Sequence, residues 1–376
     1  MKQQIIFGSN REKELDVYLQ HKKCKKVFIV CGTSMKYLSI YEYFENLEKR
    51  LGISTIYFSD FSPNPQYQSV LKGIALFRQE ACDAIIGVGG GSAIDVAKCI
   101  KLFVTLSDEK SYLTQQIIPN KLPFVAIPTT AGTGSEATKF AVIYNHGEKI
   151  SVSDESCLPR FVWLNHIYLR NLPLYQRKST MMDALCHAME AYWSVNSTEE
   201  SKLYSQEAIT IILKYKEEYL NNSDLGNENM LKAANMAGKA INIAKTTAAH
   251  AMSYKLTGLY NISHGHAVAL CVPGVWRFML QHLNMCNDNR GQEYLRNMFD
   301  ELAHIMKKNS AMEAVEYFQQ IVDDLKLEIP IPDENEYDIL TKTVNIQRLK
   351  NTPVSMSESQ INEIYHDVLK RRGENR

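Results

Sequence analysis

The spacing of hydrophobic residues changes along this chain. Up to about residue 170, short apolar runs rich in β-branched residues alternate with segments of helical periodicity, which is the pattern of a parallel sheet flanked by helices. Most of these runs end at glycine, proline or polar residues, which predict turns. The predicted strands are residues 27–30, 54–58, 84–88 and 124–127, with shorter strand-like runs at 140–144 and 150–152 and an amphipathic helix at 68–79.

Beyond Leu172-Pro173 the apolar positions recur at helical spacing and β-branched runs become rare. We therefore predict two domains: an α/β domain with a Rossmann-like parallel sheet over 1–175, and an all-helical domain over 176–376. Further motifs, described below, indicate dinucleotide binding by the first domain and metal binding by the second. A polar loop is predicted at 221–227 and a proline-rich break at 329–332. The predicted helices are residues 181–194, 201–218, 229–243, 248–256, 266–279, 293–308, 311–325, 336–343 and 358–371.

Composition narrows the class of protein. The 376 residues carry a formal net charge of zero, so global charge gives no reason to expect a nucleic-acid partner. Apolar runs fall short of the roughly 18 residues that span a bilayer, and the N-terminal apolar stretch is too short for a signal peptide. The eight cysteines contain no C-x-x-C pair and predict reduced thiols. We expect a cytoplasmic protein without a membrane partner.

A glycine turn at residues 87–92 joins a predicted buried strand to a predicted helix. Glycine allows backbone amides to approach phosphate oxygens, and the start of a helix adds a favourable partial charge. The match to G-x-G-x-x-G is poor, so the turn alone could be a tight β–α connection. A second loop of small residues, with Thr129, Thr130 and Thr133, follows the next strand. Two such loops at neighbouring strand ends predict a ligand crevice.

The type of nicotinamide cofactor depends on the end of an early strand, where a carboxylate would accept hydrogen bonds from a ribose 2′-hydroxyl. Residues 30–36 contain the turn residue Gly32 and no carboxylate. Ser34 and Lys36 could instead hold the 2′-phosphate of NADPH. The alternative for these two residues is a helix N-cap and a solvated lysine. We favour NADPH over NADH.

Four residues predict a metal site. Asp183 and His187 are four positions apart, so a helix presents both from one face. His250 and His264 add two imidazoles. One carboxylate and three imidazoles suit Fe²⁺, Zn²⁺, Ni²⁺ or Co²⁺. Cys186 lies within the same motif; a thiolate ligand is one interpretation, and the frequent burial of cysteine favours a packing residue.

These motifs resemble a known family. G-G-G-S-A-I-D-V-A-K at 89–98, P-T-T-A-G-T-G-S-E at 128–136, M-D-A-L-C-H-A-M-E-A-Y at 182–192 and the two histidines fourteen residues apart occur in the order and spacing of the iron-containing (group III) alcohol dehydrogenases. The resemblance covers nearly the whole chain. It implies the dehydroquinate synthase-like fold of that family, a homodimer, and reduction of a small aldehyde to a primary alcohol.

The resemblance also implies roles for particular residues. Asp183, His187, His250 and His264 would be the ligands of one Fe²⁺ or Zn²⁺. NADPH or NADH would contact the two small-residue loops. The positions that match the family's cofactor contacts are Gly89, Gly90, Gly91, Ser92, Asp95, Lys98, Thr129, Thr130 and Thr133.

The chain departs from the family near the third ligand. Many members carry another histidine four residues after it, where this chain has Tyr254, and the glycine often found two residues before the ligand aspartate is Met181. The group that donates a proton to the alkoxide formed by reduction of the aldehyde is therefore not assigned by the resemblance. His266, which points away from His264 because it is two residues further on, is one candidate. Tyr254 and a ribose hydroxyl with water are the others.

The segment 237–257 is most similar to the phosphonoacetaldehyde reductase branch, which makes 2-hydroxyethylphosphonate. A phosphonate substrate requires cationic partners. Lys139 and Lys245 are close in sequence to the site motifs, and Thr246 and Thr247 could add hydroxyl donors. The alternative is that both lysines are solvated surface residues.

Rival functions remain at this stage. A lyase resembling 3-dehydroquinate synthase would share the two-domain plan, but it would be expected to use glutamate as first ligand, where this chain has Asp183. Such a lyase would recycle its cofactor, whereas a reductase consumes it. A non-catalytic metal-binding protein is the second rival. Simple-alcohol, lactaldehyde- or butanol-type dehydrogenases are the nearest alternatives among enzymes.

Overall fold

The computed structural model describes residues 3–370, and its backbone divides into two compact units. The first unit contains the described residues up to Leu172 together with Asn222–Leu231. The second contains Pro173–Asn221 and the described residues from Lys232 onward. The predicted division at residue 175 did not anticipate that a segment from the second half of the chain joins the first unit.

The first unit is built on a sheet of six parallel strands, ordered β1-β8-β5-β4-β2-β3. This arrangement confirms the predicted Rossmann-like sheet, although β1 and β8 were not predicted. The strands are β1 (Gln4–Phe7), β2 (Lys26–Cys31), β3 (Ser54–Phe58), β4 (Ala84–Gly89), β5 (Phe124–Pro128) and β8 (Phe161–Leu164).

Helices cover both faces of this sheet, which explains why its strands read as continuous apolar runs. In β2, Val27 and Ile29 pack into one hydrophobic cluster, while Phe28 and Val30 pack into the other. The predicted helix at 68–79 is confirmed as α4. The helices of this part are α1 (Glu12–His21), α2 (Ser39–Glu45), α3 (Leu47–Leu51), α4 (Tyr67–Gln79) and α5 (Gly91–Phe103).

The two shorter strand-like runs of the sequence form a separate structure. β6 (Phe140–Asn145) and β7 (Glu148–Ser153) pair with each other as an antiparallel hairpin. Gly147 allows the turn between them, with a positive φ of 81°. The hairpin therefore stands apart from the six-stranded sheet.

The second unit is helical, as predicted. Its helix α6 begins seven residues before the predicted start, directly after Pro173. Its helices, including α8, which begins in the first unit, are α6 (Leu174–Trp193), α7 (Glu199–Leu220), α8 (Asp224–Ala244), α9 (Ala248–Tyr260), α10 (His264–Gln281), α11 (Gln292–Ile305), α12 (Ala311–Asp324), α13 (Glu334–Lys342), α14 (Ile346–Leu349) and α15 (Glu358–Val368).

The predicted polar loop at 221–227 is confirmed for residues 221–223 and wrong for 224–227, because α8 already begins at Asp224. The Ser223 hydroxyl accepts a hydrogen bond from the Gly226 amide at 3.0 Å, and the Ser223 carbonyl accepts one from Asn227 at 2.9 Å. Polar residues at a helix start satisfy its free amides, so the polar run is the beginning of the helix. The predicted proline-rich break at 329–332 is confirmed, because no helix or strand covers those residues.

Helix α10 lies at the centre of the second unit and packs against α6, α9, α12 and α15. Gly265 allows its close approach to α6: a Cβ atom there would lie 2.1 Å from the carbonyl oxygen of Ser179 and 2.7 Å from the Cβ of Asp183. This contact sets the start of α10 directly against the part of α6 that carries Asp183. Among the described residues, no helix is long and apolar enough to cross a membrane.

Candidate metal centre and nucleotide-binding edge

Three side chains of the second unit bring their ligand atoms together. Asp183 Oδ1 is 3.9 Å from Nε2 of His187 and 3.8 Å from Nε2 of His250. The two imidazole rings stack with centroids 4.5 Å apart. All three residues are buried, and each offers a ligand atom within 4.8 Å of the others. Helix α6 supplies Asp183 and His187, and the first turn of α9 supplies His250.

This geometry fits a divalent transition metal. Atoms bound to one ion at about 2.0–2.2 Å lie within roughly 4.4 Å of each other. Asp183 Oδ1 and His250 Nε2 are buried without a hydrogen-bond partner among the described residues, which is costly unless a cation satisfies them. Burial would raise the pKa of Asp183, but the adjacent His187 and His250 outweigh it and hold the pKa below its ordinary value. The carboxylate is therefore ionised.

The fourth predicted ligand, His264, lies beside this group. It is half-buried at the start of α10, with its ring centroid 5.3 Å from that of His250. It is not a member of the group whose ligand atoms lie within 4.8 Å of one another. Tyr254 stacks on it with ring centroids 5.7 Å apart. The structure thus brings three of the four predicted ligands together and places the fourth, with Tyr254, next to them.

Glu190 is a functional candidate that the sequence interpretation missed. It is fully buried on α6 and accepts hydrogen bonds from Thr247 Oγ1 at 2.6 Å, from the Ala249 amide at 3.0 Å and from Nδ1 of His250. Burial opposes ionisation of Glu190, but His250 and the hydrogen bonds outweigh it, so its pKa is below the ordinary value. This contact turns Nε2 of His250 toward Asp183.

A signal for Glu190 was present in the sequence. It follows Asp183 by seven positions and His187 by three, so the three side chains share one face of α6. A carboxylate that holds the second nitrogen of a ligating histidine fixes its tautomer and raises its basicity. A third acidic or imidazole residue on that face was therefore the residue to look for.

We expect Glu190→Gln to weaken metal binding by about 10- to 100-fold, because the amide cannot hold His250 as a carboxylate does. Competition for Zn²⁺ and Fe²⁺ with a chelator of known affinity would measure this. Glu293→Gln, an exposed glutamate on α11, is the matched control and should bind metal as the unmodified protein does. Equal metal affinities for the two variants would contradict the role assigned to Glu190.

His266 is engaged within the second unit. Its ring is buried, with Nε2 at 2.8 Å from the Glu328 carbonyl oxygen and Nδ1 at 3.1 Å from the Tyr175 hydroxyl. Burial lowers its pKa. Since both ring nitrogens already have protein partners, the arrangement favours Tyr254, which contacts His264, as the proton-relay candidate.

The lysine and cysteine candidates occupy different environments. Lys245 is exposed at the end of α8, in a left-handed backbone conformation with φ of 64°. Lys139 lies in the first unit and pairs with Glu155 at 2.7 Å. Cys186 is fully buried, and burial raises the pKa of its thiol well above the ordinary value. It is not a member of the group of clustered ligand atoms, so its burial favours the role of a packing residue.

In the first unit, the predicted nucleotide loops meet at one edge of the sheet. Gly89 at the end of β4 is aligned with Pro128 at the end of β5. Cβ atoms at Gly90 and Gly91 would lie 3.2 Å from Thr130 and 2.9 Å from Thr133, respectively, so these glycines allow the two loops to touch. The predicted juxtaposition of the loops is confirmed.

This edge also contains the point where the strand order reverses. Strands β2 and β4 are neighbours in the sheet. From β2 the chain moves toward one edge of the sheet to form β3, and from β4 it moves toward the opposite edge to form β5. Ligands of open α/β sheets bind outside the carboxyl ends of the strands at such a point. Helix α5 begins there at Gly91, next to Ser92, with the free amides of its first turn available to an anion.

Asp95 and Lys98 have internal partners. The Lys98 ammonium is fully buried and donates to Ser135 Oγ at 3.1 Å, Thr138 Oγ1 at 3.0 Å and the Phe140 carbonyl at 2.7 Å. Asp95 accepts a hydrogen bond from Ser135 Oγ at 2.5 Å. An ammonium has three protons, and all of them are used here. These hydrogen bonds hold the second loop against α5, and the cofactor contacts that the resemblance implies for Asp95 and Lys98 stay a prediction.

The end of β2 carries the residues predicted to select the nicotinamide type. Gly32 precedes a single 3₁₀ turn over Thr33–Tyr37, within which Ser34 and Lys36 are exposed. Since Gly32 occupies the N-cap position, the alternative of Ser34 as the N-cap is wrong. The Lys36 ammonium lies 5.1 Å from the centroid of the Tyr37 ring. Ser34 and Lys36 thus follow the carboxyl end of β2, the strand that pairs with β4.

Comparison with known proteins places this combination of a nucleotide-binding sheet and a buried metal-ligand group in a defined class. The family model described as iron-containing alcohol dehydrogenase matches residues 2–166, and the model of the C-terminal part of the Fe-containing alcohol dehydrogenase family matches residues 178–369. The chain belongs to the iron-containing alcohol dehydrogenase family. It is an oxidoreductase with the fold of that family.

Three similar proteins illustrate the range of the family. The 1,3-propanediol dehydrogenase of Klebsiella pneumoniae is 33% identical over 294 residues, covering 76% of this chain and 73% of that protein. The NADPH-dependent butanol dehydrogenase of Clostridium saccharobutylicum is 29% identical over 354 residues, covering 92% and 87%. The crystal structure of sulfoacetaldehyde reductase from Bifidobacterium kashiwanohense in complex with NAD⁺ has a TM-score of 0.86 at 24% identity, covering 98% and 97%. That structure shares the fold.

Proposed function

We propose that this protein is a metal-dependent NAD(P)H oxidoreductase that reduces phosphonoacetaldehyde to 2-hydroxyethylphosphonate. The observation that carries the proposal is the buried group of Asp183, His187 and His250, whose ligand atoms lie within 4.8 Å of one another. Fe²⁺ is the ion that the family name supports, and Zn²⁺ suits the same ligands. We further expect a homodimer located in the cytoplasm.

The side chains have separable tasks in this reaction. When bound, the divalent cation polarises the aldehyde carbonyl and the reduced nicotinamide supplies the hydride. Ionised Asp183 supplies negative charge for the cation, and Glu190 keeps the Nε2 lone pair of His250 aimed at it. Burial raises the pKa of Tyr254, so its hydroxyl stays protonated near neutral pH and is able to donate a proton to the product oxygen.

We assign NADPH as the preferred cofactor. In this proposal, Gly89, Gly90 and Gly91 contact the pyrophosphate, and Ser34 and Lys36 would supply a hydroxyl and a positive charge to a 2′-phosphate. A relative at 29% identity is named as NADPH-dependent, whereas the sulfoacetaldehyde reductase was solved with NAD⁺. The two side chains at the end of β2 are what favour NADPH.

A second candidate is a general dehydrogenase for neutral short alcohols. The 33% identity to a 1,3-propanediol dehydrogenase supports it. The two candidates differ in whether the substrate carries an anionic group. The sulfoacetaldehyde reductase among the solved structures is named for a short aldehyde with an anionic group, and this name is consistent with the first candidate.

A panel of substrates and cofactors tests the proposal. The protein would be loaded with Fe²⁺ under anaerobic conditions or with Zn²⁺, and oxidation of NADPH and NADH would be followed with phosphonoacetaldehyde and with propanal. We expect the highest kcat/KM for NADPH with phosphonoacetaldehyde, by about tenfold or more over propanal, because a charged group adds charge-assisted hydrogen bonds. Equal efficiency with propanal would contradict the phosphonate substrate. Higher efficiency with NADH would contradict the cofactor assignment, and no net cofactor oxidation would contradict a reductase.

A further inference from the structure

Arg348, on the short helix α14, has few partners for a half-buried arginine. Its Nη1 donates one hydrogen bond, to Thr246 Oγ1, at 3.3 Å. Arg277 and Arg290 of the same unit each pair with an aspartate, but no carboxylate pairs with Arg348 among the described residues. A guanidinium has five N–H donors in a fixed planar fork. Most of the hydrogen-bonding capacity of Arg348 is therefore not used by the side chains and backbone that the structure describes.

Arg348 is connected to the metal centre through neighbouring side chains. Thr246 is buried next to Thr247, which donates to Glu190, the residue that holds His250. Tyr254 stacks on His264 and also lies near Arg348 and Thr246, since both lower its pKa against the larger raising effect of burial. Arg348 and Tyr254 therefore share Thr246 as a neighbour, and Tyr254 contacts a predicted metal ligand.

The position of Thr246 is fixed independently of Arg348. Nδ2 of the Asn351 side chain donates to the Thr246 carbonyl oxygen at 3.0 Å, and Oδ1 of the same side chain accepts from Asn196 Nδ2 at 2.9 Å. Asn351 therefore keeps the loop between α8 and α9 in place when the Arg348 guanidinium exchanges its bond to Thr246 for a bond to a ligand. A hydrogen bond of 3.3 Å is at the long end of the normal range and costs little to exchange.

We propose that Arg348 binds the anionic group of a short aldehyde substrate, with the Thr246 hydroxyl and Tyr254 as its polar neighbours. A phosphonate, sulfonate or carboxylate group accepts two parallel hydrogen bonds from a guanidinium fork, which fixes its orientation as well as its charge. Half-burial strengthens this contact, because water screens it less than at the exposed Lys245. The inference rests on the proposed aldehyde reduction and names the residue that would select an anionic substrate.

Steady-state kinetics of Arg348→Gln tests the proposal. We expect KM for phosphonoacetaldehyde to rise about 10- to 100-fold, with kcat and the KM for propanal changed far less, because the lost contact is to the anionic group alone. Lys350→Gln removes the same charge from an exposed position two residues away and should leave both substrates unaffected. Equal rises in KM for both aldehydes would indicate a structural role and overturn the proposal. A selective loss in Lys245→Ala instead of Arg348→Gln would also overturn it.

A binding measurement separates this inference from the proposed substrate. Metal-loaded protein would be titrated calorimetrically with methylphosphonate, methanesulfonate and acetate, and thermal unfolding would confirm that each variant is folded. We expect one of these anions to bind at least about tenfold more weakly to Arg348→Gln, with Arg348→Lys intermediate because a point charge remains. If none binds the unmodified protein, the inference fails. If methylphosphonate binding depends on Arg348 but phosphonoacetaldehyde is not reduced, the proposed substrate fails and the anion site stands.

Discussion

Replacement of His250 by alanine is expected to abolish aldehyde reduction while leaving dinucleotide binding intact. His250 Nε2 lies 3.8 Å from Asp183 Oδ1, and its loss leaves two of the three clustered ligands. Loss of a Lewis acid worth several kcal/mol corresponds to at least about a thousandfold in kcat/KM. The glycine and threonine loops belong to the first unit, which His250 is not part of, so the affinity for NADPH should persist.

Metal content, fluorescence titration with NADPH and initial rates would be measured on the same preparations of His250→Ala. His304→Gln, an exposed histidine on α11, is the control and should keep its metal and its activity. Thermal unfolding shows whether the variant is folded, since Glu190 loses its imidazole partner. Substantial turnover by metal-free His250→Ala would refute the assignment of this residue as a ligand.

The second large effect is expected from Gly265→Ala. The added Cβ would lie 2.1 Å from the Ser179 carbonyl oxygen, and neither backbone can yield without separating α10 from α6. We expect the free energy of unfolding to fall by about 3 kcal/mol, at the upper end of overpacking costs. The same Cβ would lie 2.7 Å from that of Asp183, so metal affinity should fall as well.

Gly258→Ala is the matched control for this prediction. Gly258 lies within α9, and nothing is found within 4 Å of a Cβ added there. Alanine at an open helical position should stabilise the protein by about 0.5–1 kcal/mol. Denaturant unfolding and chelator competition would compare both variants with the parent. An unchanged unfolding midpoint and metal affinity in Gly265→Ala would show that the close approach of α6 and α10 is not required.

The parts of the fold that the sequence predicted are those in which burial follows a local period. The central strands β2, β4 and β5 are apolar at successive positions because helices cover both faces of their sheet. β8 is only four residues long, and it pairs with β1 and with β5, from distant parts of the chain. Its place in the sheet depends on those long-range partners, for which a short apolar run carries no signal.

In the metal site, likewise, some residues can be recognised from local spacing and others only from the packing of the folded chain. Asp183 and His187 could be paired from their helical spacing alone. The role of Glu190 depends on how the start of α9 packs against α6, because Thr247 and His250 approach it only in the folded chain. Lys98 matches a family position for cofactor contact, and in the folded chain its ammonium donates three hydrogen bonds to residues in the segment 135–140. No local pattern in the sequence indicates these long-range hydrogen bonds. Arg348 lies on a helix too short to produce any periodic pattern.

The three clustered ligands also have a consequence for chain entropy. Asp183 and His187 are on α6 and His250 is on α9, so the whole of α7 and α8 lies between them in the sequence. One ion bound to all three would cross-link the two ends of that long segment and restrict the denatured chain as a disulfide does. Metal loading and the ordering of this segment then form one linked equilibrium. The supply of that ion would therefore affect the amount of folded protein as well as the rate of its reaction.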